Sequence, residues 1–206
     1  MIVGNSIPYN RKDIIERIAL QFPIEYCKSR SMPEPFIGGK KTRAIVLGAD
    51  PSNFSSKNEL KIVFKLELEE KSPYFISILN NLKLLNLYLD DLYVQNVIQN
   101  YMNSETSDNQ NWDKIASIWI PHLKNELEIY NRSIPVFITA WKILEILVGH
   151  DVLKRLKAKD IYKNHIYFDR SENSLGRKLY CLFRHKNYNL NNWYDYLRFL
   201  KRELSE

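Results

Sequence analysis

Three polar residues stand where chemistry could be done, each at the end of an apolar run. The run Ala44-Ile45-Val46-Leu47-Gly48 breaks at Ala49-Asp50-Pro51, which reads as a buried parallel strand with an acid just past its carboxyl end. Asn96 closes a second run, Asp91-Leu92-Tyr93-Val94-Gln95-Asn96-Val97, in which strand alternation turns Gln95 to the other face. His185 follows a further run, Leu179-Tyr180-Cys181-Leu182-Phe183-Arg184. In an open α/β sheet such ends converge on one crevice, where ligands bind. An acid, an amide and an imidazole gathered there can stabilise a cation or orient water, read a hydrogen-bonding edge, and support an anionic leaving group. Each also has a plainer reading: Asp50 as a turn cap, Asn96 as a buried amide closing a strand, His185 as a satisfied loop histidine. Burying the Asp50 charge costs free energy unless something uses it, and the repetition at three strand ends favours function. Phe64, in Ile62-Val63-Phe64-Lys65, offers either a stacking surface or plain core.

The elements that must position these residues alternate along the chain. Residues 10–22 read as an amphipathic helix, capped by Asn10, with Ile14, Ile18 and Phe22 on one face and Pro23 as its stop. Residues 24–43, rich in Lys, Arg, Pro and Gly, read as a surface loop. Within it Gly38-Gly39-Lys40-Lys41-Thr42 looks superficially like a phosphate loop. The glycine required five positions before Gly39 is Glu34, and a strand follows where a helix should, so that reading is rejected. Lys40 and Lys41 are then a solvated basic loop, with phosphate contact as the alternative.

Ser72-Pro73 opens a helix running towards Leu87, and residues 91–97 form the second strand. After a polar loop over residues 103–111, Trp112, Ile115, Ala116, Trp119, Leu123 and Leu127 line one face of a helix with a kink expected at Pro121. Residues 134–139 are a third strand, followed by a helix from Trp141 that stops at Gly149. Residues 164–168 and 179–183 are the fourth and fifth strands, and a helix from Asn192 closes the chain with Trp193, Leu197, Leu200 and Leu204 inward. The alternation predicts an α/β protein: a three-layer α/β/α arrangement with a central, mostly parallel sheet of four to five strands, in one domain over residues 1–206.

The chain is long enough to bury a sizeable core, with 206 residues of which 45% are hydrophobic. Its 30 Lys and Arg against 24 Asp and Glu give a net charge of +6, which suits a polyanionic partner. Two cysteines, Cys27 and Cys181, are too few for an iron–sulfur cluster or a four-thiolate zinc site. His122, His150 and His165 have no acid or cysteine at ligand spacing, so they are assigned no site. With no signal-peptide pattern and no apolar run approaching the ~18 residues of a membrane span, the expectation is a cytoplasmic monomer with reduced thiols and no membrane contact.

The motifs in their order resemble the uracil-DNA glycosylase superfamily. Gly48-Ala49-Asp50-Pro51 is similar to that family's Gly-Gln-Asp-Pro turn, and Ile62-Val63-Phe64-Lys65 to the segment carrying its base-stacking Phe. Tyr93-Val94-Gln95-Asn96-Val97 resembles the strand whose Asn reads uracil. Trp112 with its helix, then Val136-Phe137-Ile138-Thr139-Ala140-Trp141, match the next helix and strand. Arg184-His185 falls where the family's His-Pro-Ser motif begins.

The resemblance implies a glycosylase that flips a uracil or another altered base out of single- or double-stranded DNA and hydrolyses its N-glycosidic bond without metal or cofactor. Asp50 would stabilise the oxocarbenium-like state and position water, and His185 would support the departing base. Asn96 would read the base edge and Phe64 would stack on it. Where the best-known members carry a Tyr that blocks a 5-methyl group, this chain has Ser52 and then Asn53, which leaves that part of the base pocket more open. Lys186-Asn187-Tyr188-Asn189-Leu190 replaces Pro-Ser-Pro-Leu-Ser. The wedge filling the vacated stack would then be Tyr188 or Leu190, with Arg184 and Lys186 on phosphates. Two other functions fit the same residues: a catalytically silent protein of this fold that binds nucleic acid or a protein partner, and an enzyme acting on free nucleotides or nucleosides.

Overall fold

The computed structural model describes residues 10–51, 59–66 and 73–205. Among them the elements run α1 (Arg11–Gln21), β1 (Phe36–Ile37), β2 (Ala44–Gly48), α2 (Pro73–Leu84), β3 (Leu92–Asn96) and α3 (Trp112–Leu127). They continue with β4 (Val136–Ile138), α4 (Trp141–Val148), α5 (His150–Leu153), α6 (Ala158–Asn164), β5 (Leu179–Cys181) and α7 (Tyr194–Glu203). The protein is α/β, with one five-stranded sheet ordered β1-β3-β2-β4-β5. β2 is parallel to both β3 and β4, and β4 to β5; only the edge strand β1 is antiparallel. Every residue of β2, β3, β4 and β5 is buried, as continuous apolar runs require when both faces of a sheet are covered.

The chain leaves β2 for β3 on one side, then returns past it to β4 on the other. Right-handed crossovers therefore carry α2 and α3 on opposite faces. The connections of β2 and β4 diverge at their carboxyl ends and open a crevice between them, the usual place for a ligand in such sheets.

Local signals account for most boundaries. Asn10 caps α1 by accepting from the Asp13 N–H at 2.9 Å, and Ile14 and Ile18 are buried beneath it. Helix α2 ends at Leu84, short of the expected Leu87, because Asn86 turns left-handed and the Leu87 N–H bonds back to the Leu82 carbonyl. Helix α3 runs unbroken through Pro121. The last helix begins at Tyr194, with Trp193 outside it as its N-cap residue.

Two expectations are corrected. The loop over residues 24–43 contains β1, whose two residues are too few to show alternation. Residues 164–168 are not a strand: α6 occupies residues up to Asn164, His165 ends it in the left-handed region, and Phe168 makes one isolated bridge to Leu179.

A buried arginine fastens one end of the structure. Arg177, 2% exposed, donates to the carbonyls of Asn131 at 2.9 Å, Tyr130 at 2.7 Å and Leu127. These carbonyls lie at and beyond the end of α3, where a cation meets the negative end of the helix dipole; those of Leu127 and Asn131 also accept from the Tyr130 and Ile134 N–H groups.

Candidate functional site

Backbone pairing past the ends of the strands sets the site. The ladder between β2 and β3 continues beyond Gly48, with the Val97 and Ile98 N–H groups on the Gly48 and Ala49 carbonyls. It carries Asp50 to the crevice in a fixed turn. On the other side the Arg184 N–H bonds to the Thr139 carbonyl at 3.2 Å, which holds Arg184 at the same level. A cavity of about 350 Å³ opens there, and each of the four parallel strands contributes to its wall: Asp50 after β2, Asn96 ending β3, Ala140 after β4 and Arg184 after β5. Phe64 and Tyr74 supply its aromatic side.

Asp50 is 6% exposed, and its Oδ2 accepts from the Thr106 hydroxyl at 2.6 Å and the Trp112 indole N–H at 2.7 Å. Two donors on one oxygen fix the direction of the carboxylate. Behind them Lys142 donates to the Thr106 carbonyl at 2.9 Å and lies over the Trp112 ring at 5.0 Å, tying the loop that carries Thr106 to α4.

Asn96 is 1% exposed, and its Oδ1 has no hydrogen-bond partner among the described residues. An unsatisfied buried acceptor costs about 1–3 kcal/mol, so this amide is suited to a ligand donor. Its backbone is held by Gln95, whose Oε1 accepts the Asn96 N–H at 2.8 Å. Gln95, on the opposite face of β3, belongs to a buried cluster in which Gln99 donates to Glu126 at 2.8 Å.

Phe64 reaches the site by an unusual path. It and Lys65 both occupy the left-handed region, with φ of 59° and 58°. Side-chain-bearing residues cost about 1–3 kcal/mol each there, and such strain gathers at functional sites. The conformation brings the Phe64 ring onto Gly48, where a Cβ would collide with the ring and with Asn96 Oδ1. Gly48 is thus the one residue of β2 that has to lack a side chain. Phe64 packs on Tyr74 at 5.4 Å and on Phe75 at 4.9 Å, one member of an aromatic cluster instead of a lone platform.

Tyr74 is locked in a directed chain. The Thr139 hydroxyl donates to the Leu47 carbonyl at 2.8 Å, so the Tyr74 phenol donates to Thr139 Oγ1 at 3.0 Å and keeps only lone pairs for other partners. Burial pushes the phenol's pKa up and keeps it neutral. The Arg184 guanidinium covers the Tyr74 ring at 4.5 Å.

The expected site residues thus divide. Asp50, Asn96, Phe64 and Arg184 are brought to one cavity. His185 is not: it is exposed, absent from the cavity wall, and its Nδ1 accepts from the Asn187 N–H at 3.2 Å. Lys186 is exposed beside it. Leu190 is fully buried, so it is core and not a surface wedge. Tyr188 is half-buried among Tyr162, Phe183 and Trp193. Lys40 and Lys41 precede β2, at the opposite end of the sheet from Asp50, and Lys40 lies 4.0 Å from Asp90. Ser52 and Asn53 fall outside the described residues.

Sequence reasoning missed Thr106, Tyr74, Lys65 and Lys142, and took Trp112 for core alone. Trp112 is fully buried, and its indole N–H is what adds a function to that burial. Among the described residues no group of three or more His, Cys, Asp or Glu could hold a metal ion, and no helix is long and apolar enough to cross a membrane. No protein-family model and no curated protein matches the chain. Fold and site together define an α/β protein with a carboxylate-bearing cavity at the carboxyl ends of a mostly parallel sheet.

Proposed function

We propose that the protein is a DNA glycosylase-like hydrolase that removes uracil or another altered base flipped out of DNA, on the three-layer α/β/α fold of the uracil-DNA glycosylase superfamily. The observation that carries this reading is a carboxylate fixed by Thr106 and Trp112 in the same cavity as the open acceptor of Asn96. A planar base entering there would give its imide N–H to Asn96 and pack against Phe64 and Tyr74. As the N-glycosidic bond breaks, its electron pair leaves with the base, and Asp50 stabilises the cationic sugar and orients the water that attacks it. The water's proton passes to solvent or to the departing base. Arg184, at the cavity wall, would oppose the negative charge growing on the base in the role first expected of His185.

The test is excision of uracil from single- and double-stranded oligonucleotides, read as alkali-labile abasic sites. We expect product with the wild type and at least a ~100-fold loss in Asp50→Asn. No product on either strand form would remove ordinary uracil excision from consideration.

A second reading, a catalytically silent protein of this fold that binds nucleic acid, is favoured by the exposed position of His185. It predicts salt-sensitive DNA binding with no base release.

A further inference from the structure

Lys65 and Arg184 both line the cavity, and neither base recognition nor the carboxylate chemistry uses Lys65. Neither cation forms an ion pair among the described residues. Arg184 is pinned by its backbone bond to Thr139, by the Tyr74 ring beneath its guanidinium, and by the Ser77 hydroxyl donating to its carbonyl at 3.4 Å. The Tyr74 proton is committed to Thr139, so the phenol oxygen presents lone pairs only.

Lys65 is half-buried in a left-handed conformation that Gly or Asn would adopt at lower cost. A lysine kept there, directly after an equally strained Phe64, makes sense if its ammonium group is needed at the cavity wall. Two cations beside a cavity lined by Phe64 and Tyr74, and by the open amide acceptor of Asn96, match a ligand that joins a flat polar ring to an anion.

We propose that Lys65 and Arg184 form a clamp for the phosphate carried by the nucleotide whose base enters the cavity. The ligand class is a nucleoside phosphate, as a free monophosphate or as a phosphodiester within a strand. The clamp rests on the base-binding reading above, and deepens it by assigning the anion and the residues that take it.

NMR titrations of the full chain with deoxyuridine, deoxyuridine monophosphate, inorganic phosphate and a single-stranded oligonucleotide carrying one uracil test it. A phosphorylated form should bind at least about tenfold more tightly than deoxyuridine. Lys65→Met should remove most of that gain with a much smaller effect on deoxyuridine, Arg184→Met should remove it as well, and Lys65→Arg should retain it. A gain with the monophosphate identifies a free nucleotide as the source. A gain confined to the oligonucleotide, with a salt slope lowered by about one in Lys65→Met, identifies the strand backbone.

Lys65→Gly separates the clamp from a folding role, since it should raise the melting temperature by relieving the left-handed lysine while losing the gain. The clamp is overturned if deoxyuridine binds and phosphate adds nothing, or if the gain survives both methionine variants; the base cavity would then stand without it. If none of deoxyuridine, its monophosphate and the uracil oligonucleotide binds, the base-binding reading falls and the clamp with it.

Discussion

A carboxylate oxygen that accepts from a hydroxyl and an indole at once is fixed in direction as well as in place, and this gives Asp50 its character. Removing either donor should leave the carboxylate present but loosely aimed. For Thr106→Val and for Trp112→Phe we expect kcat for base release to fall ~10–100-fold with KM little changed, since a hydrogen bond to a charged group contributes about 1.5–3 kcal/mol. A rise in KM with kcat intact would place these residues in substrate binding instead. Gly48→Ala should both lower the melting temperature and abolish release, because the added methyl meets the Phe64 ring and Asn96 Oδ1 together. Asp50 and Asn96 were legible in the sequence because each ends an apolar run, and strand ends converge. Thr106 was not, since the polar loop around it offers many equivalent hydroxyls and amides. His185 stands one residue beyond Arg184, the last residue that backbone pairing holds to the sheet, and that single step takes it off the cavity wall.

At the scale of elements, a length of five apolar residues made β2 and β3 readable, whereas the two residues of β1 carry no pattern at all. Residues 164–168 misled because His165 ends a helix by a left-handed turn, a role the sequence marks clearly only when glycine or asparagine fills it. Arg177 was equally hidden: beside Gly176 and Lys178 it looks like one more solvated cation. Its three carbonyl partners predict otherwise. Arg177→Met should destabilise the fold by about 3 kcal/mol in urea unfolding, because it removes three hydrogen bonds made by one buried cation. A loss under ~1 kcal/mol would show that water or neighbouring N–H groups take over the cap.

Across the whole molecule, burial sets the response to alkali. The Cys181 thiol, starting from 9.0, and the phenols of Tyr74, Tyr93, Tyr162 and Tyr196, starting from 10.0, all have their pKa raised, with desolvation the leading cause in each. Folded-state values above the unfolded ones mean that the folded chain holds more protons in this range, so stability falls as pH rises. Stability should be level below pH ~9, decline as the unfolded thiol ionises, and steepen above ~10 as the phenols join, each group adding about 1.4 kcal/mol per pH unit. Urea midpoints measured from pH 7 to 11 check this, and Cys181→Ala should delay the onset towards the phenol range.

The two margins of the sheet carry a consequence of another kind. On one side β1 contributes only Phe36 and Ile37, directly after Pro35, and the neighbouring Glu34 is already bridged to Ile62. On the other side the isolated bridge from Phe168 occupies Leu179 at the start of β5. A long bare margin would be a template on which strands of other molecules could add, the route by which β-rich proteins stack into insoluble fibrils. Here a strand too short to copy and a rim already taken leave little to extend, so the apolar centre of the sheet stays out of reach of its neighbours even when the protein is crowded.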